Sequence, residues 1–104
     1  MDDFGARADA TMKKLERAVG AIEGVEADLA GDILTLEFED GDKFVINSHS
    51  AAQQIWVAAA LSAMHFGWHE KTGSWRDTKS GAELFTEIGR LLSEKLGESV
   101  KVNG

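Results

Sequence analysis

At 104 residues the chain has length for one modest hydrophobic core, and 43% apolar residues exclude a disordered class. It has no cysteine, which removes disulfides, thiolate nucleophiles and a sulfur ligand for zinc or a cluster, and no apolar run long enough to span a bilayer. The net charge of −7 repels nucleic acid and anionic membranes, and it is uneven: residues 1–42 carry 12 acids against 4 bases, the rest 6 against 7.

Phe4, Ala8, Met12, Leu15, Val19 and Ile22 recur every three or four residues, the stripe of an amphipathic helix. Asp2 or Asp3 is placed to cap its start and Gly24 to end it. A short strand is expected at Val25–Leu29. The period then becomes two: Leu34, Leu36 and Phe38 alternate with Thr35, Glu37 and Glu39. Asp40-Gly41 signals a tight turn, and Phe44 and Ile46 resume the alternation, so a hairpin follows. Gln54–Ala58 and Met64–His69 read as further strands, the former running into a loop through the alanines near 59, and a short strand surrounds Trp75. Ser80 and Glu83 have the spacing of a capping box. Leu84, Phe85, Ile88, Leu91, Leu92 and Leu96 give a second helix its apolar face, closed by Gly97. Val100 and Val102 then add a terminal strand or tuck against the helices. The expected fold is α+β, one domain over residues 1–104. It is a two-layer sandwich in which a largely antiparallel sheet carries the N- and C-terminal helices on one face.

Asp2, Asp9, Glu16 and Glu23 recur every seven residues and form a drifting column on the first helix. Neighbours in it are roughly 10.5 Å apart along the axis, while metal–oxygen bonds are only about 2.0–2.6 Å long. The column is therefore a line of charge and not a prebuilt chelate. Glu26 and Asp28 share one face of the first strand, and they extend the line if that strand lies at the sheet edge beside the helix. Such carboxylates suit a hard cation held through mixed carboxylate and water ligands; they equally suit a solvated face and an edge that resists aggregation. The histidines make no metal motif, since His65 and His69 stand about 13 Å apart on a strand. No nucleophile elbow or phosphate loop is present. Trp56 alternates with Ile55 and Val57, so either Trp56 or its two neighbours face the core, and periodicity alone leaves both open.

The run Asn47-Ser48-His49-Ser50-Ala51-Ala52-Gln53-Gln54-Ile55-Trp56-Val57-Ala58 resembles the central segment of the frataxin family, particularly its bacterial branch. His65-Phe66 follows, and then Trp75-Arg76-Asp77-Thr78-Lys79-Ser80-Gly81-Ala82-Glu83-Leu84-Phe85 is similar to the family's last strand and the start of its second helix. With the hairpin and Phe4, nearly the whole chain is covered. The resemblance implies two helices on one sheet face, iron bound by an acidic ridge on the first helix and first strand, and contact with the cysteine desulfurase and scaffold protein that build iron–sulfur clusters. Glu16, Glu26 and Asp28 match ridge positions; with Asp9 and Glu23 of the column they are the candidate iron ligands. Trp56 matches an exposed sheet tryptophan, so Gln54 and Trp56 join Glu16, Glu23, Glu26 and Asp28 as candidate partner contacts. The chain departs from the pattern at Arg17, Gly20 and Ala21, where bacterial relatives usually carry acids, at Ala63, where glycine is common, and in a shorter loop before the first strand. The ridge is thereby diluted.

The expected function is an iron-binding adaptor of iron–sulfur cluster assembly, cytoplasmic and monomeric, with iron-dependent oligomers as a further state. Two other classes compete: a carboxylate ferroxidase or iron store, and a protein-binding module indifferent to metal. The first lacks the paired Glu-x-x-His motifs of a bridged di-iron centre, so no catalysis is expected. An anaerobic iron titration followed by a turnover assay separates the adaptor from the oxidase.

Overall fold

The computed structural model describes residues 3–103. Its elements run α1 (Asp3–Gly20), β1 (Val25–Ala30), β2 (Ile33–Phe38), β3 (Lys43–His49), β4 (Gln54–Ala58), β5 (Ala63–His69), β6 (Ser74–Asp77) and α2 (Leu84–Leu96). The six strands form one sheet in chain order, every neighbouring pair antiparallel. The expected sandwich is the observed one. The alternation explains which face is covered: Leu34, Leu36, Ile46, Ile55, Val57 and Phe66 are buried with Met12, Leu15 and Val19 of α1 and Leu84, Ile88 and Leu92 of α2.

The Asp40-Gly41 turn is present, with Gly41 at φ 91°, a conformation that favours glycine. Asp40 Oδ1 accepts from the Asp42 N–H at 2.9 Å, and Lys95 of α2 donates to both Asp40 and Asp42, pinning the turn to the second helix.

Two expectations are corrected. The first helix stops at Gly20 and not at Gly24, because the Val19 carbonyl is taken by the Ile22 N–H in a tightened last turn. Gly24 instead sits at φ 93° where the chain turns into β1, a conformation that favours glycine, and a Cβ there would stand 3.1 Å from the Leu96 side chain, which would have to give by a few tenths of an ångström. Second, Ser80 does not cap α2. Arg76 and Glu83 form a β-bridge that holds Glu83 extended, and Glu83 becomes the cap, accepting from the N–H groups of Phe85 and Thr86 at 2.9 and 3.0 Å. The Ser80 hydroxyl donates instead to Asp77, at 2.7 Å. Of the two alternatives for the tail the second is observed, and among the described residues no strand follows α2. Val102 is buried, and the Val100 N–H donates to Ser93 Oγ at 2.9 Å, so the tail lies along α2.

Candidate functional site

The covered face of β4 takes Ile55 and Val57, and the pleat therefore turns Trp56 to the open face of the sheet. Its register neighbours are Asn47 and His65. The indole is held on both sides: His49 stacks at 4.1 Å between ring centroids and His65 at 4.3 Å, each within about 15° of parallel. Its N–H donates to Gln54 Oε1 at 2.8 Å. Gln54 and Trp56, both named from sequence, thus form one unit, half-buried and fixed in direction. Ile33, 42% exposed, extends the same face from β2, where it pairs with Asn47. The histidine brackets were missed because they depend on the registers of three strands and not on any spacing within one.

The acidic positions are spread over α1, the turn after it and β1. Asp9 and Glu16 lie on α1, and Asp9 is engaged by Lys13 at 3.1 Å. Asp2 lies outside the described residues. Glu23 follows the helix end and leaves the column. Strand β1 is the sheet edge and α1 lies across it, as the ridge requires. Yet Val25, Ala27 and Leu29 turn toward the helices, so Glu26 and Asp28 belong by register to the open face that carries Trp56.

Glu26 is paired with Glu37, while Asp28 is paired with Thr35. Glu23, Glu26, Glu37 and Glu39 line one depression of about 490 Å³ where α1 passes into β1. Glu37 and Glu39 were not singled out from sequence, although hairpin pairing would have placed Glu37 opposite Glu26. Among the described residues no three His, Asp or Glu side chains converge tightly enough to hold a metal ion. These oxygens are hard donors, and their spacing suits a hydrated cation or a basic protein surface better than a closed coordination shell.

A family profile described as a frataxin-like domain matches residues 1–98. A protein of Ralstonia nicotianae named iron-sulfur cluster assembly protein CyaY is 42% identical over 98 residues, covering 89% of this chain and 85% of its own. A protein of the same name from Dechloromonas aromatica is 38% identical, covering 96% and 97% of the two chains. The solved structure of frataxin from Psychromonas ingrahamii superposes with a TM-score of 0.86 at 30% identity, covering 98% of this chain and 96% of that one.

Proposed function

Since the chain belongs to the frataxin-like family, we propose that it is a non-catalytic accessory protein of iron–sulfur cluster assembly that works in the cytoplasm. The observation that carries this reading is the 42% identity, over most of both chains, to a relative named for that process. The finer assignment is that acidic positions dock a basic surface of a cysteine desulfurase, while the Gln54–Trp56 face meets the scaffold protein. Both surfaces suit the task. The edge strand and the helix end offer Glu16, Glu23, Glu26 and Asp28 to a cationic partner, and a bracketed indole offers apolar area with a fixed direction. Iron enters as cargo, carried loosely by carboxylates and water, with Asp9, Glu16, Glu23, Glu26 and Asp28 as its candidate ligands.

The test replaces Glu16, Glu23, Glu26 and Asp28 by their amides and follows association with a cysteine desulfurase across a salt series. Removing four charges is expected to slow association at low salt by about tenfold or more, with the difference shrinking as screening rises. Equal rates in two equally folded proteins would remove the acidic docking surface. A Trp56→Ala variant measured against the scaffold then tests the sheet face separately.

A further inference from the structure

On the β6 side of α1, away from the acidic depression, an open groove of about 560 Å³ lies between α1, the β5–β6 hairpin, the start of α2 and the C-terminal tail. Its charge is opposite to that of the molecule. Arg7 and Lys14 both line it, two helical turns and roughly 10.5 Å apart. Among the described residues neither has a carboxylate within ion-pair distance, whereas Lys13 between them is paired with Asp9. Arg7 is also pre-positioned, its guanidinium lying 4.3 Å from the centroid of Trp68. Half-buried Trp68 and Phe85 supply an apolar wall. Glu83 reaches the groove as well, but both its oxygens accept N–H bonds at the α2 N-terminus, whose dipole offsets its charge.

A groove of a few hundred cubic ångströms with an aromatic wall and a few convergent polar groups has the make-up of a small-molecule site. We propose that it binds a small planar organic anion, the acid group on Arg7 and Lys14 and the flat body against Trp68 and Phe85. Arginine supplies the planar fork that a carboxylate or phosphate accepts in two hydrogen bonds, and lysine a second point of charge. The site is separate from the acidic surface and from the Trp56 face, and its occupancy does not depend on either.

The experiment follows the indole N–H signals of the three tryptophans by ¹⁵N–¹H correlation spectroscopy. The full chain is titrated with 2-naphthoate, 2-naphthyl phosphate, the neutral 2-naphthalenemethanol and acetate. Saturable shifts of the Trp68 and Trp75 signals, with Trp56 unmoved, are expected for one or both naphthyl anions; the tighter of the two identifies the acid group. The neutral alcohol and acetate are expected to bind at least tenfold more weakly. Arg7→Gln should weaken the anion about tenfold and Lys14→Gln by a smaller factor, since Lys14 is exposed. Because Arg7→Gln also removes the contact with Trp68, Lys14→Gln guards against an effect of packing alone. Equal affinity for the alcohol and the anions, a Trp56 signal that moves with the others, no saturable shift, or wild-type affinity in both variants would each overturn the proposal.

Discussion

Asp77 shows how one side chain can organise a junction. Burial pulls its carboxyl toward a higher pKa, but the Ser80 hydroxyl and N–H groups that donate to it prevail and hold it below the ordinary carboxylate range. A depressed folded-state pKa contributes stability that is complete above the unfolded value near 3.9 and is lost as pH falls through the folded value. An Asp77→Asn variant keeps one acceptor but cannot titrate. Its melting temperature should fall less than that of the wild type between pH 5 and pH 2, and parallel acid profiles would refute this.

Trp56 makes the second point at this scale. With Trp68 and Trp75 replaced by phenylalanine, its emission should remain open to acrylamide quenching, because one edge of the bracketed ring stays on the free sheet face. A fully protected emission would contradict the assignment. Alternation within β4 reduced the orientation of Trp56 to two choices. The choice between them lies in which face the helices cover, which no single strand encodes.

The elements were legible wherever a local pattern is decided by local forces. The stripe of α1, the Asp40-Gly41 hairpin and the β4 limits follow from period and turn chemistry, and all are present. The start of α2 was misread because Ser80 and Glu83 carry the capping spacing, while a bridge to Arg76, seven residues earlier in β6, keeps Glu83 extended. Two substitutions separate these accounts. Glu83→Ala should cost about 1 kcal/mol, the usual value of a lost helix cap, whereas Ser80→Ala should leave the α2 cap bonds in place. If Ser80→Ala is the more damaging of the two, the cap has been assigned to the wrong residue. At the other end of α2, Ser93 Oγ donates to the Gly89 carbonyl and accepts from the Val100 N–H. Ser93→Ala leaves that N–H unpaired and should cost about 1–2 kcal/mol, with amide exchange accelerated first in residues 100–102.

At the scale of the molecule, the uneven charge visible in the sequence is divided among the first helix, the edge strand and the β2–β3 hairpin. The fold sends Asp9 and Glu16 to the helix, Glu26 and Asp28 by pleat to the opposite sheet face, and gathers Glu23 and Glu26 with Glu37 and Glu39 at the helix end. Composition gives the sign of a field, and only register gives its shape. The strand order has another consequence. Because each strand pairs with the next in sequence, the sheet can grow hairpin by hairpin with little loop-closure entropy at any step. The helix that begins the chain is different: Thr11 accepts the buried Trp75 indole N–H at 2.9 Å across 64 residues. That bond cannot form until β6, the last strand, is in place. It therefore belongs late on the folding route, where lost interactions accelerate unfolding and leave folding rates nearly unchanged. Thr11→Val, which preserves shape and removes the acceptor, should raise the unfolding limb of a denaturant chevron about tenfold while the refolding limb stays where it was. A slowed refolding limb would mean that the two ends of the chain meet before the sheet is complete.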